Sequence, residues 1–236
     1  MTRSTGDTEN ERIEGFSVSP YPRVLSLLLA VLFLASCASF RSEHYDDSGY
    51  AVASWYGSEF HGRRTSSGEV FNMYAFTCAH REYPFGTKLK VTNLANGKTV
   101  HCVVNDRGPS AAGKDIDLSY AAAKKIGLIG KGSEKVRIEY AGRDNSYIKE
   151  IRYSSYTGPF TIQVGSFKDR LNAERLKKAL EFKYSEVYIS EADNDGSRSY
   201  RVRVGTFLSK EEVNDFAKNL ADEGYNVFIT GFDERR

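Results

Sequence analysis

The sequence predicts a multi-domain protein in which an all-β barrel is followed by an α+β domain of the ferredoxin-like βαββαβ type. Two observations predict this order: strand-like segments separated by glycine turns run through residues 50–140, and residues 158–236 contain an internal repeat. The composition of the 236 residues, 40% hydrophobic and 27% charged, is that of a globular protein and excludes a disordered or collagen-like chain. The net charge of +2 gives no electrostatic case for a nucleic-acid partner.

The chain begins with a segment that is typical of an export signal. The uncharged apolar run Val24–Ser36 is shorter than the roughly 20 residues of a membrane-spanning helix, and it fits the hydrophobic region of a signal peptide. It ends in Leu34-Ala35-Ser36-Cys37, which resembles the lipobox of bacterial lipoproteins. The resemblance implies a lipoprotein signal peptide over residues 1–36, a lipid on Cys37 and, because Ala38 follows in place of Asp, an anchor in the outer membrane facing the periplasm. A plain secretory signal with an incidental cysteine is the alternative.

After a polar tether over residues 37–49, residues 50–140 carry the features of a small barrel. The segments AVASWYG, TKLKVTNL, KTVHCVVND and EKVRIEY have the alternation and β-branched content of strands. Asn96-Gly97 marks a hairpin turn. A single short helix is predicted over residues 119–126, capped by Ser119 or Asp117 and ended by Gly127.

The last third of the chain repeats itself. The segment Phe160–Phe167 returns 40 residues later as Tyr200–Phe207. The same offset relates the apolar faces of one helix and one strand in each unit, namely Ala173, Leu176, Leu180, Val187 and Ile189 with Val213, Phe216, Leu220, Val227 and Ile229. Two strand–helix–strand units predict four strands that two helices cover on one side. The preceding residues 141–157 have no clear period and are predicted as a linker, in which residues 147–153 could form a short strand.

The face of this sheet that the helices leave uncovered is predicted to bind a saccharide chain through Gln163, Tyr188, Arg201, Arg203 and Phe228. Amide, guanidinium and ring groups on a flat face suit such a ligand, and a merely solvated sheet face is the alternative. In length, repeat and the start Gln-Val-Gly-Ser-Phe, residues 158–236 resemble the SPOR domain. The resemblance implies binding to peptidoglycan glycan strands, with a preference for strands that lack stem peptides, and enrichment at the division septum.

Three segments of the predicted barrel carry groups suited to acid–base chemistry. Glu69 follows a glycine in a loop, Asp106 ends an apolar strand, and His80 follows the sequence Thr-Cys-Ala. Two carboxylates and a histidine without a nucleophile motif indicate cleavage of a glycosidic bond. Each residue has a structural alternative: Glu69 on the surface, His80 in the core, and Asp106 in a turn. The four histidines lack the close spacing of metal ligands and no nucleotide-binding motif is present, so the sequence predicts neither a metal nor a cofactor.

Four further residues of this domain are predicted to contact substrate. Trp55 and Tyr56 either stack on sugar or belong to the core. Arg107 either binds substrate or has a structural role beside its neighbouring carboxylate. Asp117 either binds substrate or caps the short helix.

The segments SWYG, NDRGP and IDLSYAAAKKIG together resemble the rare lipoprotein A family. With the lipobox and the SPOR-like repeat, the resemblance covers nearly the whole chain after the signal. It implies a double-psi β-barrel and a lytic transglycosylase that cleaves peptidoglycan between N-acetylmuramic acid (MurNAc) and N-acetylglucosamine (GlcNAc), endolytically or exolytically, and leaves 1,6-anhydro-MurNAc ends. It also implies catalytic positions at Asp106, Glu69 and His80. We expect Asp106 to act as acid and base, Glu69 to stabilise developing charge, and His80 to orient a carboxylate or bind substrate.

Other functions stay open at this stage. A non-catalytic peptidoglycan-binding septal lipoprotein is the main alternative, and a hydrolase or an expansin-like protein that cuts nothing is another. Division-site proteins are possible partners of either form.

Cys78 and Cys102 are the two cysteines that remain beside Cys37. In the oxidising cell envelope they form a disulfide or remain as two buried thiols. The rare lipoprotein A family often has small or aliphatic residues at these positions, so the resemblance does not support the pairing.

Overall fold

The structure is a computed structural model that describes residues 49–194 and 197–232. The predicted signal peptide over residues 1–36, the lipidation site Cys37 and all but the last residue of the tether lie outside the described residues. The described residues belong to one compact unit. Among them, no helix combines the length and the apolar character that a membrane span requires.

Six strands form the N-terminal barrel: β1 (Gly49–Tyr56), β2 (Thr77–His80), β3 (Thr87–Asn93), β4 (Thr99–Asp106), β5 (Ile116–Ser119) and β6 (Glu134–Arg143). They close in the order β1-β5-β2-β4-β3-β6. Strand β1 is parallel to β5, with Ala53 opposite Ile116, and β2 is parallel to β4, with Thr77 opposite Val103. The remaining neighbours are antiparallel. This arrangement confirms the predicted double-psi β-barrel.

The alternation of side chains along β4 holds as far as Val104. Cys102 and Val104 are buried in the core, whereas Thr99 and His101 are exposed. The register between β2 and β4 then shifts, from Cys78 opposite Val104 to Ala79 opposite Asp106, and Asn105 is buried like Val104 before it. Asp106 is therefore placed by an irregularity at the end of the strand, and its side chain is only partly buried.

The predicted short helix is α1 (Tyr120–Lys125). The hydroxyl of Ser119 accepts a hydrogen bond from the Ala122 amide at 3.2 Å, which makes Ser119 the cap. Gly127 follows the helix with a φ of +70°, as expected for a glycine that ends a helix. Asp117 is not the cap, and its carboxylate is therefore available for another role.

The predicted linker over residues 141–157 contains more regular structure than its sequence pattern shows. Strand β6 continues to Arg143, a 3-10 turn follows at Asn145–Tyr147, and β7 forms at Ile151–Tyr153. The short strand left open in the prediction is thus present. It forms because the C-terminal sheet offers an unpaired edge, which local sequence periodicity does not reveal.

The C-terminal domain contains β8 (Phe160–Phe167), α2 (Arg170–Leu180), β9 (Val187–Asn194), β10 (Ser197–Phe207), α3 (Lys210–Asp222) and β11 (Val227–Gly231). Its sheet has the order β7-β11-β8-β10-β9, so β7 adds a fifth strand to the predicted four. Both helices pack against the sheet, and the apolar residues predicted to face them, such as Ile162, Val202 and Leu180, are buried. The βαββαβ prediction is confirmed.

Candidate active site

A cavity of about 340 Å³ lies between the barrel and the C-terminal domain. The barrel wall comes from the end of β4, the turn after it and the loop around residues 60–66. The opposite wall comes from α2 and from Phe167 at the end of β8. Asp106, Asp117 and Tyr56 all line this cavity.

Asp106 is held by one of its two carboxylate oxygens. Oδ1 accepts hydrogen bonds from the Ser66 amide at 2.9 Å, the Ser66 hydroxyl at 2.7 Å and the Arg107 amide at 2.8 Å. Oδ2 accepts none from any residue in the described part of the chain. The carboxyl group is therefore oriented through Oδ1, and Oδ2 is the oxygen on which it can carry a proton.

The surroundings of Asp106 favour its protonated form. Burial raises the pKa of this carboxyl group, while the hydrogen bonds from Ser66 and the charge of Arg107 oppose the rise. A general acid at neutral pH needs a raised pKa, because an ordinary aspartate has already lost its proton. The direction of the shift is thus the one that acid catalysis requires.

Asp117 provides a second carboxylate in the same cavity. It lies on β5 directly opposite Ser54 of β1, whose hydroxyl donates to Asp117 Oδ1. Burial raises the pKa of Asp117 as well. Tyr56 lines the same cavity as both carboxylates. Burial raises the pKa of Tyr56, and the charges of Asp106 and Asp117 raise it further.

Glu69 does not line the cavity. Its carboxylate accepts a hydrogen bond from the Asn105 amide group at 2.7 Å and one from the Tyr147 hydroxyl at 2.6 Å. Asn105 is buried and immediately precedes Asp106 in β4. Glu69 therefore reaches the site through Asn105 rather than by facing the cavity itself.

His80 also lies away from Asp106, in a second cavity of about 260 Å³ whose lining includes Asp115. Its Nδ1 accepts hydrogen bonds from the amides of Glu82 and Tyr83, at 3.1 and 3.2 Å. Burial lowers the pKa of His80 to about 4, with a further contribution from the charge of Arg107. A neutral ring is required here, because a protonated Nδ1 could not accept these bonds.

Arg107 links the turn of His80 to the C-terminal domain. Its guanidinium lies 3.7 Å from the centre of the Phe85 ring and donates to the Tyr83 carbonyl at 3.1 Å. It also donates to the Tyr225 hydroxyl at 2.7 Å. Although Arg107 lines the cavity, as its predicted contact with substrate requires, these protein contacts occupy its Nε and Nη1.

Trp55 and Tyr56 occupy different sides of β1. Tyr56 lines the cavity and stacks on Phe71 with ring centres 4.4 Å apart. Trp55 packs edge-on against Tyr120 of α1 at 5.9 Å and does not line the cavity. Successive residues of a strand point to opposite faces, so the two rings cannot share one site.

The five predicted saccharide contacts of the C-terminal domain share the uncovered sheet face. Phe228, Gln163, Arg203 and Tyr188 form one row across β11, β8, β10 and β9. Arg201 lies two residues along β10 on the same face. Only 7% of Arg203 is exposed, and its Nε and Nη1 have no hydrogen-bond partner among the described residues. A buried guanidinium without hydrogen-bond partners is costly for folding.

Ser66 is the residue of the site that the sequence did not single out. It lies in a tight loop closed by hydrogen bonds from the Thr65 amide to Glu69 and from the Gly68 amide to Thr65. The run Thr-Ser-Ser-Gly is typical of a turn, and nothing in it shows that one hydroxyl reaches a carboxylate 40 residues later.

Cys78 and Cys102 are free thiols in the barrel core, with their Sγ atoms 2.8 Å apart. The structure brings the two cysteines together without joining them, and the predicted disulfide stays a prediction. Among the residues that the structure describes, no group of three or more His, Cys, Asp or Glu side chains could hold a metal ion.

This fold and this site define a protein of the class that joins a double-psi β-barrel to a SPOR domain. Residues 49–138 match the family model described as lytic transglycolase, and residues 156–231 match that of the SPOR domain. The chain belongs to the RlpA family, whose relatives are named endolytic peptidoglycan transglycosylase RlpA.

The identities to three relatives support this assignment. The Vibrio cholerae protein is 36% identical over 184 residues, which cover 78% of this chain and 69% of the relative. The Campylobacter jejuni protein is 37% identical over 193 residues, 73% of this chain and 69% of the relative. The protein from Helicobacter pylori strain J99 is 34% identical over 188 residues, 71% of this chain, and the match spans only 59% of that relative's length.

Proposed function

We propose that this chain is a peptidoglycan lytic transglycosylase that cleaves MurNAc–GlcNAc bonds and forms 1,6-anhydro-MurNAc ends. The observation that carries the proposal is the state of Asp106 in the 340 Å³ cavity. Oδ1 is fixed by three hydrogen bonds, Oδ2 accepts none from the described residues, and burial raises the pKa of the carboxyl group. The names of the RlpA relatives, endolytic peptidoglycan transglycosylases, support the reaction and favour cleavage within the strand.

The reaction needs a single carboxyl group that acts twice. Asp106 Oδ2 donates its proton to the glycosidic oxygen as the bond from that oxygen to C1 of MurNAc breaks. The C6 hydroxyl of the same MurNAc then forms a bond to C1, and its proton passes to Asp106. No water is consumed, and the acid is regenerated with the anhydro ring.

Asp117 is better placed than Glu69 to stabilise the positive charge that develops at C1. Asp117 lines the cavity beside Tyr56, whereas Glu69 lies outside it and bonds to Asn105 and Tyr147. We therefore assign charge stabilisation to Asp117 and a positioning role to Glu69. His80 is likewise a positioning residue, because the turn that it organises presents the Tyr83 carbonyl to Arg107.

The uncovered sheet face of the C-terminal domain is proposed to bind glycan strands that lack stem peptides. Removal of the peptide leaves a free lactyl carboxylate on each MurNAc, and Arg201 and Arg203 bring two guanidinium groups to this face that suit such a group. Gln163, Tyr188, Arg201 and Phe228 supply further amide, guanidinium and ring contacts along the face.

We also propose that acylated Cys37 anchors the protein in the outer membrane, facing the periplasm, and that SPOR binding enriches it at the septum near division-site proteins. Incorporation of labelled palmitate by the wild type and not by Cys37→Ser would test the anchor. Septal enrichment of a fluorescent fusion would test the location.

Digestion of peptide-free glycan strands, prepared from purified sacculi, with the full chain tests the reaction directly. Mass spectrometry of the released products is expected to find 1,6-anhydro-MurNAc ends. Reducing ends would instead identify a hydrolase. Release of no product, with retained binding to sacculi, would identify a non-catalytic peptidoglycan-binding lipoprotein.

A further inference from the structure

Helix α2 of the C-terminal domain forms one wall of the cavity that contains Asp106. Asn172, Arg175, Lys178 and Phe182 of this helix and its C-terminal end line the cavity. A saccharide that reaches Asp106 must therefore lie against the C-terminal domain as well as the barrel. This surface is separate from the uncovered sheet face, because the helices pack on the other side of the sheet.

Reciprocal contacts hold α2 against the barrel. The Arg175 guanidinium of the C-terminal domain lies 5.7 Å from the centre of the Phe60 ring of the barrel. The Arg81 guanidinium of the barrel lies 5.5 Å from the centre of the Phe182 ring. Each domain thus supplies one cation and one aromatic ring to the cation–π contacts that join the two walls.

The cavity carries an excess of positive charge. Its lining contains two carboxylates and five cationic side chains, namely Asp106, Asp117, Arg63, Arg64, Arg107, Arg175 and Lys178. Such an excess favours a ligand that bears negative charge.

The pairing of charges along α2 differs between its two sides. Arg170 and Lys177, which do not line the cavity, form ion pairs with Glu174 and Glu181 on the same helix. Arg175 and Lys178, which do line it, form no ion pair with any carboxylate of the described residues. The helix therefore leaves its cations uncompensated only where they face the cavity.

We propose that α2 is the second wall of the catalytic cleft and that Arg175 and Lys178 bind the free lactyl carboxylates of a glycan strand that lacks stem peptides. The inference rests on the proposed function, because it takes the saccharide at Asp106 to be peptidoglycan. Lactyl groups that still carry peptide are amides and present no carboxylate at this point. The two side chains thereby make the cleft itself selective for peptide-free strands.

The test compares two double variants of the full chain. Arg175→Gln with Lys178→Gln removes the charges that face the cavity. Arg170→Gln with Lys177→Gln is the matched control on the other side of the same helix. Release of anhydro products is measured as kcat and KM on peptide-free strands, on peptide-bearing strands, and on peptide-free strands whose lactyl carboxylates have been converted to amides.

The cavity-facing variant is expected to raise KM on peptide-free strands about tenfold, equivalent to roughly 1.4 kcal/mol of binding free energy, with kcat within about twofold. It should change KM little on the amidated strands, and the control variant should behave as wild type on all substrates. The inference would be overturned if both variants had equal effects or if KM on peptide-free strands were unchanged. A faster reaction in the cavity-facing variant would also overturn it, because α2 would then be an inhibitory cover.

The inference and the proposed function fail in distinguishable ways. Wild-type chain that forms no anhydro ends on any substrate contradicts the proposed function. The inference is contradicted if KM on peptide-free strands is the same in the cavity-facing variant as in wild type. A binding measurement on peptide-free and amidated strands makes the same comparison without turnover.

Discussion

Ser66 donates two hydrogen bonds to the same oxygen of Asp106, from its amide at 2.9 Å and from its hydroxyl at 2.7 Å. The two residues are 40 positions apart, so this contact joins the loop after β1 to the end of β4. In the proposed reaction, the second oxygen of Asp106 exchanges the proton with substrate. The orientation of the acid thus depends on a serine in a turn.

Replacement of Ser66 by alanine is expected to alter the pH dependence of the reaction. The variant loses a hydrogen bond that favours the ionised carboxylate, so the pKa of Asp106 rises further. Because the general acid acts in its protonated form, the decline of kcat/KM at high pH moves to higher pH, and kcat falls about tenfold through poorer orientation. Ser67→Ala is the control, since the Ser67 hydroxyl bonds to Thr65 and not to Asp106. An unchanged profile in Ser66→Ala would contradict the assignment.

Acidification is expected to destabilise the barrel through His80. The pKa of His80 is lowered from its ordinary 6.5 to about 4 by burial, so the unfolded chain binds a proton below pH 6.5 that the folded chain binds only near pH 4. Stability is therefore complete above pH 6.5 and is lost as the pH falls towards 4. The His80 contribution between pH 7 and pH 5 is roughly 2 kcal/mol, at 1.36 kcal/mol per pKa unit.

Urea unfolding of wild type and His80→Asn at pH 7 and pH 5 measures this contribution. Asparagine offers an oxygen near the position of Nδ1 to the amides of Glu82 and Tyr83 but does not titrate. The loss of unfolding free energy between the two pH values should be smaller in the variant by that amount. Equal losses of unfolding free energy in the two proteins would show that folded wild type already binds a proton on His80 at pH 5.

Replacement of Arg203 by methionine is expected to separate binding from stability. Arg203 is 7% exposed, and its Nε and Nη1 have no hydrogen-bond partner among the described residues, so an apolar side chain of similar length should leave the unfolding free energy unchanged or raise it. Co-sedimentation with peptide-free glycan should weaken about tenfold, as expected for loss of roughly 1.4 kcal/mol of binding free energy. Lys168→Met, at an exposed position between β8 and α2, should bind as wild type. Full binding by Arg203→Met would remove this residue from the binding face.

The two buried thiols are expected to pair in protein taken from the cell envelope. Their Sγ atoms are 2.8 Å apart, and an envelope disulfide exchange protein could take the two electrons and two protons that bond formation releases. Mass spectrometry after reduction should show a gain of two hydrogens. An unchanged mass would establish two free thiols.

The elements that depend on local periodicity were predictable from the sequence. The 40-residue repeat predicted both helices and four strands of the C-terminal sheet, because each unit buries its own apolar face. The capping of α1 by Ser119 was likewise one of the two predicted possibilities. These features need only the residues within one element.

The assembly of the site depended on contacts that no local pattern contains. The sequence predicted that Asp106, Glu69 and His80 act together. In the fold, Asp106 lines the cavity, Glu69 bonds to Asn105, and His80 lies in a second cavity. Strand β7 forms because the C-terminal sheet offers it an edge, and the α2 wall forms because the C-terminal domain packs on the barrel. The direction in which a side chain leaves a closed barrel is a property of the whole fold.

We propose that Asp106 is the acid and base of a lytic transglycosylase. The most direct measurement is the rate of 1,6-anhydro-MurNAc release from peptide-free glycan strands by wild type and by Asp106→Asn, followed by mass spectrometry. We predict that the variant folds, binds the strands and releases anhydro products at least about 10²-fold more slowly. Release at the wild-type rate by a folded Asp106→Asn chain would contradict the account.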